Sequence, residues 1–116
     1  MATKDSLGRW GEEYAARYLH HQGFQILRRN WRSDAGEIDL LLRRGDIFVV
    51  CEVKTRRSHR HGHPDEAVDG TRLRRLCSAA EIVAAEHPSA TVRVDIVSIT
   101  ASQSGIVVQH REAVTA

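Results

Sequence analysis

The stretch that most constrains this chain is residues 36–57, GEIDLLLRRGDIFVVCEVKTRR. Two apolar runs, 38–42 and 47–53, flank Arg43-Arg44-Gly45-Asp46. A β-rich run, a glycine-containing turn and a second β-rich run predict a hairpin. Side chains alternate between the faces of a strand, so Ile38, Leu40 and Leu42 share a face with Ile47, Val49, Cys51 and Val53, and that face reads as core. The other face holds Glu37, Asp39 and Leu41 on the first strand and Phe48, Val50, Glu52 and Lys54 on the second. With Leu42 opposite Ile47 across the turn, Asp39 lies opposite Val50 and Glu37 opposite Glu52. Asp39 is then the diagonal neighbour of Glu52, roughly 7–8 Å away at the backbone.

Two carboxylates and an ammonium beside an apolar sheet cost free energy unless they are paired or bound to something. One solution is a salt bridge from Lys54 to Glu52 or Asp39. The other is a hard-cation site, with both carboxylates and a strand carbonyl holding Mg2+ or Mn2+ and Lys54 aimed at an anion on the metal. Magnesium commonly takes one or two carboxylates plus phosphate and water. The spacing alone leaves both solutions open.

Upstream, Asp5 or Ser6 caps a predicted helix running to about His21. Trp10, Tyr14 and Tyr18 repeat every four residues, and Ala15 and Leu19 widen that stripe. Gly11 weakens a helix interior by about 1 kcal/mol, which points to a close backbone approach there. Glu13 has Arg17 four residues on and reads as a surface pair, whereas Glu12, with Ala15, Ala16 and Leu19 on its side, leans toward the sheet. Gly23 fits a left-handed helix terminus, and residues 24–27 form a short strand.

Downstream, Leu73, Leu76, Cys77, Ala80, Val83 and Ala84 set a helix over about 72–86. Residues 91–99 alternate as a strand in which Arg93 and Asp95 are same-face neighbours and read as a structural ion pair. Residues 106–108 form a last short strand; residues 1–5 and 111–116 are expected to be frayed tails. The order is helix, strand, hairpin, helix, strand, strand, in one domain of 116 residues.

Here a resemblance enters. Asp39 followed by Glu52-Val53-Lys54 on the next strand resembles the D…(D/E)xK signature of the restriction-endonuclease-like nuclease superfamily. The whole chain is similar to one branch, the YraN-like family, a relative of archaeal Holliday-junction resolvases. The similarity is carried by Gly11-Glu12 with Ala15 and Leu19, Gly23-Phe24, Asn30, Gly36-Glu37-Ile38-Asp39-Leu40, Glu52-Val53-Lys54-Thr55-Arg56 and Arg93-Val94-Asp95. It implies an α/β restriction-endonuclease-like fold with an α-β-β-β-α-β core and a mixed sheet. It implies that Asp39, Glu52 and the Val53 carbonyl hold Mg2+ or Mn2+, that Lys54 assists catalysis, and that Glu12 joins the site with Glu37 in the outer coordination. The activity implied is hydrolysis of phosphodiesters in branched or damaged DNA, by a homodimer. A non-catalytic nucleic-acid-binding module of the same fold is the alternative. The pattern favours lysine where Arg72 stands; arginine keeps the charge and not the geometry, so phosphate anchoring is the role expected there.

The formal charge of +2 does not announce a nucleic-acid binder, so the distribution of charge has to carry that argument. Arg28, Arg29 and Arg32 surround Trp31, and Arg56, Arg57 and Arg60 lie at or beyond the end of the second hairpin strand. With Arg72 and Arg75 these are the expected phosphate contacts. His59, His61 and His63 alternate in a loop, but the helical or knuckle spacing and the fourth ligand of a zinc site are missing. Cys51 and Cys77 fall on core faces and read as reduced. No apolar run reaches the ~20 residues of a membrane span and no signal-peptide core is seen, so a cytoplasmic protein is expected.

Overall fold

The computed structural model describes residues 6–57 and 70–115. Its elements are α1 (Ser6–His21), β1 (Gln25–Ser33), β2 (Gly36–Arg44), β3 (Ile47–Arg57), α2 (Gly70–Glu86), β4 (Thr91–Ser102) and β5 (Gly105–Arg111). The five strands form one mixed sheet in sequence order, antiparallel except where β3 and β4 run parallel. A parallel pair needs a crossover, and the segment carrying α2 supplies it. The expected α-β-β-β-α-β order is present, extended by β5. No helix among the described residues is long and apolar enough to cross a membrane.

Helices cover both faces of the sheet. Ala15 and Leu19 of α1 pack with Leu40, Leu42, Val49, Cys51, Val97 and Ile99. Leu76, Ala79 and Val83 of α2 pack with Ile38, Leu41, Phe48, Val50 and Val94. Strand β3, paired on both edges and covered on both faces, is buried from Phe48 to Glu52. That explains its near-continuous apolar run.

Helix α1 ends as the sequence predicts. Gly23 has φ +92°, its N–H donates to the His20 carbonyl, and the Phe24 N–H donates to that of Leu19. This pair of bonds is a Schellman termination, and Phe24 supplies its buried apolar contact. The buried stripe of α1 is made of Gly11, Glu12, Ala15, Ala16 and Leu19. The aromatic stripe flanks it instead: Trp10 is exposed and rests on Tyr14, with ring centroids 5.4 Å apart. Small residues at the centre let the helix sit low. At Gly11 an added Cβ would stand 1.8 Å from Thr55 Oγ1, so the approach inferred from that glycine is real and Thr55 is what it meets.

The hairpin register differs from the expected one. Leu42 faces Val49 rather than Ile47, because Arg43 and Arg44 continue the strand and leave Gly45-Asp46 as a two-residue turn with Gly45 at φ +63°. The offset is two residues, an even number, so the face assignments survive at every position but Ile38. The partners change: Asp39 comes level with Glu52, one step past the last pair, Leu40–Cys51, and Glu37 is not opposite Glu52. The alternation breaks at Ile38, which packs on the α2 side while Leu40 and Leu42 pack on the α1 side. Asn30 of β1, left-handed at φ 51°, sits between the pairs Arg29–Leu40 and Trp31–Ile38, where the break occurs.

Two ends also differ. Strand β1 runs through the basic segment expected to follow it, placing Arg28, Arg29 and Arg32 on a sheet edge. The expected C-terminal tail is tied down as far as Val114: Arg111 closes β5, the Ala113 N–H donates to Asp95, and the Val114 N–H donates to the Val94 carbonyl. The expected tail at residues 1–5 and the histidine loop with Arg60 lie outside the described residues.

Candidate metal centre and nucleic-acid surface

Beyond Leu40–Cys51 the ladder between β2 and β3 stops. The Asp39 side chain takes over its role: Oδ2 accepts the Val53 backbone N–H at 2.8 Å. This bond turns a carboxylate into the opening between the strands. Glu52 stands beside it, and Glu12 reaches the same opening from α1, whose seat on Thr55 fixes its height. Glu12, Asp39, Glu52, Val53, Thr55 and Arg72 line a cleft of about 190 Å3, together with Leu7 and Gly8.

The three acids are buried, at 8%, 3% and 7% exposure for Glu12, Asp39 and Glu52. Burial pushes the Glu52 carboxyl up to about 7 from an ordinary 4.5; the bond from Arg72 pulls it back, and the Asp39 charge pushes it up again. Arg72, from the first turn of α2, donates NH2 to Glu52 Oε1 at 2.8 Å. Its own pKa is raised, first by that bond, and Asp39 and Glu37 add to the effect. The cleft therefore gathers oxygen donors whose mutual repulsion is relieved on one side by a guanidinium.

Of the residues expected at the site, Glu12, Asp39, Glu52, Val53 and Arg72 meet in the cleft. Lys54 follows Glu52 on the same face of β3, half-buried and outside that lining. Glu37 does not join: it is exposed, with Oε2 3.7 Å from Arg32, as the two-residue offset and the β1–β2 pairing of Arg32 with Glu37 dictate. Arg28 is exposed on β1, and Arg57 is exposed at the end of β3 beside the half-buried Arg56. Arg29 is tied to Glu13 Oε1 at 2.6 Å, while Arg17 holds Glu13 Oε2 at 2.9 Å, the surface pair expected from their spacing.

A second polar group was not legible. The expected Arg93–Asp95 pair is present at 3.0 Å, and it belongs to a larger network. His110 Nε2 lies 2.7 Å from Asp95 Oδ2, His110 Nδ1 lies 3.4 Å from the Tyr18 hydroxyl, and Glu112 lies 3.4 Å from Arg93. Asp95, His110 and Glu112 bring three ligand-type atoms within 4.8 Å of one another, a geometry that could hold a divalent ion. In this structure the Asp95 oxygens are engaged by Arg93, His110 and the Ala113 N–H. Burial alone would raise the Asp95 pKa; the bonds from His110, Ala113 and Arg93 outweigh it and lower it. No periodic signal announces this network: Ile106-Val107-Val108 is followed by Gln109-His110-Arg111, and β5 runs on through these polar residues to set His110 beside Val97.

The fold sets the class: among the described residues, an α/β domain with a five-stranded mixed sheet and two helices. Residues 11–99 match the uncharacterised protein family UPF0102, the YraN-like family, and the chain belongs to it. It is 48% identical to a UPF0102 protein of Nocardioides sp., over 94% of this chain and 90% of that one. It is 43% identical to one of Streptomyces griseus subsp. griseus, over 99% and 100%. Among solved structures it is similar to that of Pyrococcus furiosus SfsA in complex with Ca2+, at 18% identity and a TM-score of 0.40; the match covers 94% of this chain and 63%, less than two thirds, of that one.

Proposed function

We propose that this protein is a metal-dependent endonuclease that hydrolyses phosphodiester bonds, acting on branched or damaged DNA. The observation that carries the reading is the meeting of Asp39 and Glu52 in one cleft where β2 and β3 part, with Glu12 brought in from α1. The donor set suits a hard divalent cation, Mg2+ or Mn2+: two carboxylates and the Val53 carbonyl, with no soft ligand among the described residues of the cleft wall. The repulsion that Asp39 adds to Glu52 is what such a charge would relieve.

Within this reading each residue has a task. Asp39, fixed by the Val53 N–H, and Glu52 bind the cation. Glu12 orients water in the outer shell. Lys54 stabilises charge developing on the phosphate. Asp39 and Glu52 would hold a divalent ion whose chemistry there would be to make a water more acidic and to offset the charge of the phosphate. Arg28, Arg32, Arg56 and Arg57 meet the flanking phosphates, and two copies together would present a longer basic surface.

The Arg72–Glu52 bond favours a second reading, a nucleic-acid-binding module whose acids are neutralised internally. One assay separates them: purified protein with junction, flap, single-stranded and duplex DNA, in Mn2+ and in chelator. Cleavage in Mn2+ that Glu52→Ala abolishes, with the fold retained, supports the nuclease. Binding without cleavage on the same panel leaves the module.

A further inference from the structure

A second cleft, of about 210 Å3, opens between α1 and β1 and is lined by Ala16, Arg17, His20, His21, Ile26 and Arg29. Its chemistry is the reverse of the first: two guanidiniums and two imidazoles over a floor of Ala16 and Ile26. Glu13 cross-links the guanidiniums, accepting from Arg17 Nε at 2.9 Å and from Arg29 NH1 at 2.6 Å. That holds two otherwise mobile cations at one mouth; both remain reachable, with side chains 76% and 49% exposed.

The two clefts share a flank of α1. Gly8 and Glu12 line the acidic one, Ala16 and His20 the basic one, and these four residues form a single i, i+4 row along the helix. Eight residues separate the two pairs, about 12 Å at 1.5 Å per residue. The neighbouring Glu12 and Glu13 are divided between them: Glu12 lines the acidic cleft, and Glu13 holds the cations of the basic one. Successive phosphates of one strand lie roughly 7 Å apart through space, more than the ~3.4 Å each adds along a duplex axis, so about 12 Å corresponds to about two phosphate steps.

We infer that the α1–β1 cleft is a phosphate subsite, taking a backbone phosphate about two steps from the one at the acidic cleft, with Arg17, His20 and His21 as its contacts beside Arg29. The spacing rests on the proposed nuclease reading; the anion binding itself does not. Net positive charge and clustered N–H donors favour phosphate, and the apolar floor limits competing hydration. The row along α1 sets the direction in which a strand would cross the domain.

The test is anisotropy of a labelled 12-nucleotide single strand and of a 12-base-pair duplex, in chelator, over a salt series. Arg17→Ala and the double variant His20→Ala/His21→Ala alter exposed side chains. Each is expected to weaken binding about three- to tenfold at low salt, and Arg17→Ala, which removes a permanent charge, to lower the slope of log K against log salt by about 0.7 for the single strand and about 0.9 for the duplex per phosphate lost. Amide shifts at Ala16 and His20 on adding the oligonucleotide complete the expectation. Unchanged affinity and slope in both variants overturn the subsite. So do shifts produced by inorganic phosphate and not by the oligonucleotide, which would make the cleft a free-anion site. Binding that depends on His20 and His21 without cleavage in Mn2+ removes the hydrolytic reading and keeps the subsite. An inert wild type, binding neither probe, overturns both.

Discussion

A guanidinium N–H of Arg72, in the first turn of α2, meets Glu52 Oε1 of the central strand at 2.8 Å, across twenty positions of sequence. The bond connects α2 to the acids at the strand split. Arg72 therefore tunes the group on which the nuclease reading depends.

Replacing Arg72 by alanine removes the strongest influence holding the Glu52 carboxyl down, leaving burial and the Asp39 charge, which both raise it. In Arg72→Ala the Glu52 pKa should climb above about 7, read by carbon NMR titration of the side-chain carboxyl. A value that stays put means the bond does not form in solution. Divalent ions should bind Arg72→Ala more tightly than wild type, because one positive charge has left the cleft.

The same carboxyl makes stability depend on pH. The folded form binds its proton more tightly than an unfolded glutamate does, so this group favours folding below about 4.5 and loses that contribution as pH rises through about 7. Glu52→Gln should flatten this fall. At pH 8 it should be more stable than wild type by up to about 3 kcal/mol, the ceiling set by a shift of about 2.5 units. Denaturant midpoints at pH 4, 6 and 8 measure it; parallel profiles for the two proteins would contradict it.

Gly11→Ala places a methyl where Thr55 Oγ1 already stands. Thr55 lies on the central strand, so the helix rather than the sheet has to give. The expected cost is about 1–3 kcal/mol from overpacking, seen as a lower melting temperature. Displacement of Glu12 should weaken Mn2+ binding as well. A substitution silent in both measurements would mean that α1 does not rest on Thr55.

Asp95 behaves oppositely to Glu52. Its pKa is lowered in the folded protein, so its contribution is present above about 3.8 and is lost as pH falls through the folded value. His110→Ala removes one of its partners and should cost about 1–3 kcal/mol. Amide hydrogen exchange should then quicken at Ala113 and Val114, whose bonds hold the chain end to β4. Loss of stability without faster exchange there would assign His110 a packing role only.

Much of the fold was legible because it depends on parity and spacing. Apolar periodicity located both helices, and the split of apolar and acidic faces survived a two-residue error in register because two is even. Side-chain partners were less legible. Glu37 lost its expected place because a shift of two changes partners while sparing faces. The left-handed Asn30 and the break at Ile38 accompany the bond from the Val53 N–H to Asp39, a bond between strands that no local pattern announces. The His110–Asp95 bond and the Arg72–Glu52 bond are likewise tertiary: each joins elements whose meeting is decided by the sheet order.

The bare contact of Gly11 on Thr55 has a mechanical consequence. Where a helix meets a strand through a glycine hydrogen, the only cushion left is the side chain on the strand, here the short β-branched Thr55, which is stiff at χ1. The gap separating the acid of the helix from the acids of the sheet is then set by the α1 main chain resting on that one stiff side chain. The gauge of the opening is built into the scaffold before any ion or strand arrives.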